Sequence, residues 1–234
     1  YLYNSVNHNP AQVAVNSFCL GAAAVAAAVT MGVCMHAGLF WQLPAYILSL
    51  SIFHMLEYTI TAAYNPQKVT IDSFLFRNGK SYLYAHTFAI AEAIIDLVLF
   101  PVGRNPMTQS GTPIISCIGL FFVVIGQVLR SAAMIEASSN FSHIVAHRKA
   151  DAHVLVKSGV YSVSRHPSYL GYFWWAIGTQ LLLLNPLSTL VFACVLQRFF
   201  NSRIAGEEKY LQQFFGAEYI DYKKSTPTWI PFIK

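Results

Sequence analysis

Apolar residues run along this chain in long continuous stretches rather than in alternation with polar ones. Runs near Gln12–Met35, Leu43–Ala63, Tyr82–Val102 and Pro113–Ile135 each approach the roughly 20 residues that cross a hydrocarbon core as a helix. They predict four transmembrane helices within residues 12–135. Two shorter runs follow, Ser168–Leu184 and Pro186–Phe200, separated by Asn185-Pro186. At a rise of about 1.5 Å per residue these are marginal spans. They predict a tight, shallow hairpin over 168–200 that returns the chain to the side it left. A transmembrane barrel is disfavoured, because its strands would alternate with period two. The expected fold is therefore all-α: a polytopic helical membrane protein with six visible spans, one membrane domain over 1–234, and a polar region at 136–234 that carries the chemistry.

Composition agrees with this pattern. The chain is 55% hydrophobic and 11% charged, with a mean hydropathy of +0.46, whereas soluble domains carry about 25% charged residues. No signal-peptide pattern precedes the first apolar run, and the start at Tyr1 suggests that N-terminal sequence is missing. Cys19, Cys34, Cys117 and Cys194 lie singly inside apolar runs, without the spacing of a metal site, and read as small packed residues. No metal is expected.

Positive charge sets an orientation. Lys68, Arg77 and Lys80 follow the second span; Arg148, Lys149, Lys157 and Arg165 follow the fourth; Arg203, Lys209, Lys223, Lys224 and Lys234 lie in the tail; the opposite side receives Arg104. Positive residues are retained on the cytoplasmic face, so the long loop and the tail are expected there. Asn140-Phe141-Ser142 would then face the cytosol and carry no glycan. A net charge of +5 divided among membrane-flanking loops points to anionic lipid and not to nucleic acid. The Ala-rich run Ala22–Val29 reads as a close-packing helix face.

Ionisable residues occur inside the spans, His54 with Glu57 and Glu92 with Asp96, each pair on one helix face. The favoured reading is that they satisfy one another, or Arg130 and Gln127, across helices. A proton-relay transporter uses similar residues, but the interrupted helices in repeated halves that it requires are not visible.

The character changes after His143. The stretch SHIVAHRKADAHVLVKSGVYSVSRHPSYLG is rich in His, Ser and basic residues and leads into the hairpin. Pro167 suits the first turn of a helix, and the helix start beside Arg165 and His166 suits an anionic or carboxylate group. Beyond the hairpin, Arg203 and Glu207 stand one turn apart and can face one interfacial pocket. Phe214, Phe215, Tyr219, Tyr222, Trp229, Ile230 and Phe232 supply an aromatic belt to hold the tail at the membrane.

RHPSYLG preceded by Gly159-Val160-Tyr161, RxxxEE followed by FFGxEYxxYKKxxPTxxPFIK, and the upstream SLSIFHMLEYTITAAYNP, DSFL and RSAAMIEASSNFSH together strongly resemble the isoprenylcysteine carboxyl methyltransferases. The resemblance covers nearly the whole chain. Members of that family have eight spans, which implies that two precede the six visible here. It implies transfer of a methyl group from S-adenosylmethionine, leaving S-adenosylhomocysteine, to the C-terminal carboxylate of a prenylated cysteine. The substrates implied are processed CaaX proteins such as small GTPases, and the location implied is the endoplasmic reticulum membrane with the catalytic face cytosolic.

Carried over residue by residue, the resemblance gives Arg203 the catalytic and substrate-binding role of orienting the carboxylate. It gives Glu207 a contact to the cofactor. His153, Val154, Leu155, Val156, Tyr161, His166, Pro167, Ser168 and Tyr169 wrap the cofactor, and Ala146 falls where the family often has Gln. Met31, Trp41, Phe53 and Met55 are candidate walls of a lipid-facing tunnel for the prenyl chain. Two alternatives share parts of the pattern: a phospholipid amine methyltransferase, which needs a base, and a sterol reductase using NADPH, which has a different tail.

Overall fold

The computed structural model describes residues 9–76, 79–99, 112–149 and 153–233, and among these it contains helices and loops and no strand. Seven α-helices follow in order: α1 Pro10–His36, α2 Gln42–Tyr64, α3 Lys80–Leu99, α4 Thr112–Ala137, α5 Pro167–Leu183, α6 Pro186–Phe215 and α7 Ala217–Ser225. Four of them, α1 to α4, are long and apolar enough to cross a membrane. The third predicted span extends to Val102, and its last three residues lie outside the described set.

Local chemistry places the helix starts. Asn9 Oδ1 accepts from Ala11 N at 3.1 Å and Gln12 N at 3.3 Å, with Pro10 in the first turn of α1. α1 packs along α2 through small residues, Ala23, Ala24 and the buried Ala27, and the rest of the Ala-rich run is exposed. Cys19, Cys117 and Cys194 are likewise exposed on helix surfaces, and Cys34 is half-buried; all four are free. They are therefore surface-facing residues of a membrane bundle and not the packed core residues expected.

The centre of the bundle is the contact of α4 with α5. A Cβ on Gly171 would lie 2.6 Å from Gly126 O, so these two helices approach backbone to backbone and no larger residue fits. Phe53 of α2 stacks on Trp175 with ring centroids 4.4 Å apart, closing the core from the other side. The hairpin turns at Leu184, in the left-handed region at φ 61°, and Asn185 Nδ2 donates to Ala89 O at 2.8 Å. Asn185 makes no side-chain cap. Glu92 of α3 supplies it instead, accepting from Leu187 N at 2.9 Å and Ser188 N at 2.8 Å. A buried acid thus satisfies two orphan amides and meets the positive end of α6.

The sixth apolar run ends at Phe200, but the helix does not. α6 continues unbroken to Phe215, 30 residues in all, or about 45 Å. Nothing in NSRIAGEEKYLQQ stops it: Gly206 alone is a weak helix former, and Gly216 at φ 56° marks the end. The second half of α6 carries Arg203, Glu207 and Glu208 out of the apolar layer on a rigid rod.

Candidate active site

The ends of α2 and α4, the start of α5 and the outer half of α6 meet at one end of the bundle. There the loop 138–143 is pinned from α2: Asn65 Nδ2 donates to Phe141 O at 2.8 Å and Lys68 Nζ to Ser139 O at 2.8 Å. Two adjoining cavities open beneath it. The larger, about 120 Å³, is walled by the extended segment His153–Val156, by Tyr161, by His166–Tyr169 at the start of α5, by Glu207 of α6 and by α7. The smaller, about 100 Å³, contains Arg130, His143, Tyr172, Phe199, Phe200 and Arg203. Phe141, Ser142, Ser168 and Tyr169 line both.

Tyr169 is the joint between them. Its hydroxyl donates to Glu207 Oε2 at 2.6 Å and accepts from Arg203 Nε at 3.2 Å, while its ring stacks on His166 at 5.5 Å between centroids. Arg203 Nη2 donates to His143 O at 2.7 Å, so two of the guanidinium nitrogens fix its plane. Among the described residues Nη1 has no hydrogen-bond partner and remains for a ligand. Arg203 and Glu207 therefore serve neighbouring cavities joined by one hydroxyl, where spacing alone suggested a single pocket.

Every residue expected at the cofactor lines the larger cavity except Ala146, which is exposed. The physical reason lies in its neighbours: His147 packs on Tyr210 and Lys149 Nζ donates to Phe214 O at 2.9 Å, drawing that loop outward along α6. His153 sits edge-on to Phe215. Burial, then the positive charges of Lys68 and Lys149, push its pKa down, so the ring is neutral near pH 7. Tyr161 O accepts from Tyr222 at 2.6 Å, and its hydroxyl donates to Ala133 O at 3.3 Å, fixing the wall between α4 and α7.

Two glutamates organise the surroundings. Glu57, fully buried, accepts from Arg130 Nε and, at 2.9 Å, from Arg130 Nη2; His143 Nε2 donates to it at 2.8 Å. Arg130 also reaches Ser168 Oγ at 3.0 Å and lies over the rings of Phe53 and Tyr172. Glu208 accepts from Arg165 Nε at 2.6 Å, His166 Nε2 at 3.2 Å and Lys223 Nζ. Burial alone would raise its pKa, but these hydrogen bonds from His166, Lys223 and Arg165 hold it well below the usual carboxylate range. Glu208 was not singled out from sequence. It stands about 100° around the helix from Glu207, so the two adjacent acids face different partners.

The tail closes the larger cavity. Arg165 N donates to Pro227 O at 3.1 Å and Arg165 Nη1 to Thr226 O at 2.9 Å. Tyr219, Tyr222 and Ile230 turn inward, leaving Trp229 and Phe232 to face outward, the latter 92% exposed. The expected aromatic belt is thus split between cavity wall and outer surface. Of the suggested tunnel residues, Met31 and Trp41 line a separate apolar groove of about 320 Å³ between α1, α2, α4 and α5. Phe53 is buried core, and that groove shares no wall residue with the Arg203 cavity.

Among the described residues, the fold is that of an all-helical, multi-pass membrane protein with a cavity of mixed polar and apolar lining at one end of its bundle. The profile of the isoprenylcysteine carboxyl methyltransferase family matches residues 117–213. The Saccharomyces cerevisiae protein-S-isoprenylcysteine O-methyltransferase is 49% identical over 237 residues, covering 99% of this chain and 95% of that protein. The mouse protein of the same name is 46% identical over 81% of this chain, which spans 65% of the mouse sequence. A solved structure of the eukaryotic intramembrane Ras methyltransferase, an isoprenylcysteine carboxyl methyltransferase, superposes with a TM-score of 0.78 at 38% identity, covering 82% of this chain and 67% of its own. The chain belongs to the isoprenylcysteine carboxyl methyltransferase family.

Proposed function

We propose that this protein transfers a methyl group from S-adenosylmethionine to the C-terminal carboxylate of a prenylated cysteine, with the donor in the larger cavity and the carboxylate at Arg203. The observation that carries this arrangement is the Arg203–Tyr169–Glu207 chain, which links a free guanidinium nitrogen in one cavity to a carboxylate in the next. The larger cavity has the chemistry the donor requires. Glu207 offers negative charge to its cationic end, and Leu211, Phe215 and the extended backbone of His153–Val156 offer an apolar and amide-bearing wall to its nucleoside. When bound, the donor supplies an electrophilic methyl on a sulfonium.

The residues need do little covalent chemistry. An α-carboxylate has a pKa near 3.5, so the nucleophile is ionised at neutral pH and no general base is required. Arg203 orients it, since a guanidinium stays charged in a half-buried site and meets a carboxylate in a fixed plane. His143 O and Tyr169 hold that plane, and the proximity so gained is the main catalytic contribution. On the side away from the donor, Leu75, Tyr172, Phe199 and Phe200 make the Arg203 cavity apolar, and Phe199 reaches the outside of the bundle. That supports a prenyl chain arriving laterally from lipid, which spares the roughly 0.8 kcal/mol per CH₂ needed to expose it to water.

The same reading takes α5 and the first half of α6 as the fifth and sixth spans and places the site on the cytosolic face of the endoplasmic reticulum, with processed CaaX proteins such as small GTPases as substrates. The distribution of Lys and Arg supports that orientation. The deciding assay incubates lipid-reconstituted full-length protein with methyl-labelled S-adenosylmethionine and a prenylcysteine analogue. Label in a base-labile methyl ester is expected. Label in a phospholipid amine, or none in either, would overturn the reading.

A further inference from the structure

The larger cavity contains a buried charge whose hydrogen bonding is incomplete. Arg165 is 6% exposed. Its Nε is taken by Glu208 and its Nη1 by Thr226 O, yet Nη2 is fully enclosed and has no partner. A buried guanidinium N–H without an acceptor has lost its water and gained nothing in return, so it is expected to be satisfied in the working protein. Arg165 lines the larger cavity. Tyr219, in the wall of the same cavity, has a buried hydroxyl that lies beside Glu208. The opening turn of α5, Pro167 and Ser168, adds the positive end of a 17-residue helix to the same wall.

These features share one preference. A guanidinium nitrogen and a helix N-terminus both favour an oxygen anion, and the negative groups nearby are already engaged, Glu208 by three donors and Glu207 by Tyr169. We infer that Arg165 Nη2, assisted by the start of α5, binds the amino-acid carboxylate of the methyl donor. The inference rests on S-adenosylmethionine occupying this cavity, and at neutral pH that carboxylate is the donor's only anionic group. Glu208 then has a defined part: by engaging Nε it fixes the plane of the guanidinium whose Nη2 takes the ligand. Arg165 and Glu207 become two fixed points on one ligand, the first for its carboxylate and the second for its cationic groups.

The test compares ligands that differ by the carboxylate alone. Binding of S-adenosylhomocysteine and of its decarboxylated analogue, S-adenosyl-3-thiopropylamine, is measured by calorimetry on the lipid-reconstituted full chain. 5′-Methylthioadenosine, which lacks the whole amino-acid end, serves as a control for the nucleoside wall. The wild type is expected to prefer S-adenosylhomocysteine over the decarboxylated analogue by about tenfold or more, the scale of a charge-assisted pair. Arg165→Gln should abolish that preference while 5′-methylthioadenosine binds unchanged. Arg165→Lys, which keeps a cation beside Glu208, should fold and still lose most of it. A wild type that binds both ligands equally, or a variant that retains the preference, overturns the inference, and the wild-type comparison decides even where Arg165→Gln fails to fold. No binding of S-adenosylhomocysteine at all to the wild type would instead sink the donor assignment itself.

Discussion

Glu57 and Glu208 each hold an arginine and a histidine, yet they do different work. Glu57 lies between α2 and α4, fully enclosed, with Arg130 and His143 as partners. Its arginine spends its remaining reach on Ser168 and two aromatic rings. Glu208 lies on the outer half of α6, with Arg165, His166 and a half-exposed Lys223. Its arginine keeps one nitrogen free. The first network is a closed interhelical clamp, and the second is an open bracket that ties hairpin, tail and cavity together. Burial does not explain the contrast, since Arg130 and Arg165 are each 6% exposed. Partnering does: all three guanidinium nitrogens of Arg130 have acceptors, whereas among the described residues Arg165 Nη2 has none.

The comparison breaks most visibly at Glu57. Removing one partner of a buried pair strands the other, at a cost of about 3–5 kcal/mol. Glu57→Ala should therefore lower the unfolding temperature sharply in detergent, and adding Arg130→Met should restore much of the loss. A double variant no more stable than the single would show that the clamp is not a closed pair. Next in size is Arg203→Ala. It should reduce esterification roughly hundredfold, as loss of an orienting group does, while leaving S-adenosylhomocysteine affinity within about threefold. Comparable losses in both would mean that the two cavities are one.

Sequence reading reaches the clamp more easily than the bracket. A Glu and an Arg inside separate apolar runs have few partners other than each other, so Glu57 with Arg130 was among the pairings open from pattern alone. The helices were legible for the same reason: an apolar run of spanning length has one stable form in lipid. The length of α6 was not, because hydropathy marks where a helix leaves the membrane and not where it ends. Glu92 as the cap of α6 depends on α3 lying beside the hairpin turn, and no local signal carries that. Glu208 sits beside a more conspicuous acid, and its partners Arg165 and Lys223 come from segments on either side of it. Ala146 rested on resemblance without side-chain chemistry, and it is the one expected cofactor residue outside the cavity.

The bracket itself is tested by pH. Glu208 has a folded-state pKa below its unfolded value, so its stabilisation is complete above the ordinary carboxylate range and is lost progressively as the pH falls from that range through the lower folded-state value. Between pH 7 and pH 3 the wild type should lose roughly 2 kcal/mol more than Glu208→Gln, which has no such carboxylate. Thermal unfolding of both proteins across that range measures the difference. Parallel curves would mean that the bracket contributes nothing through its charge.

The smallest expected effect is at the joint between the cavities. Tyr169→Phe keeps the ring stacked on His166 but removes the hydroxyl that donates to Glu207 and accepts from Arg203. Arg203 still has His143 O, so a loss of about tenfold in kcat/KM is expected, the worth of one hydrogen bond to a charged group. Its distribution is the informative part. If the hydroxyl couples the two cavities, KM for the prenylcysteine analogue and Kd for S-adenosylhomocysteine should both rise by a few-fold. A change confined to one of them would place the hydroxyl in that cavity alone, and the two cavities would then hold their ligands independently.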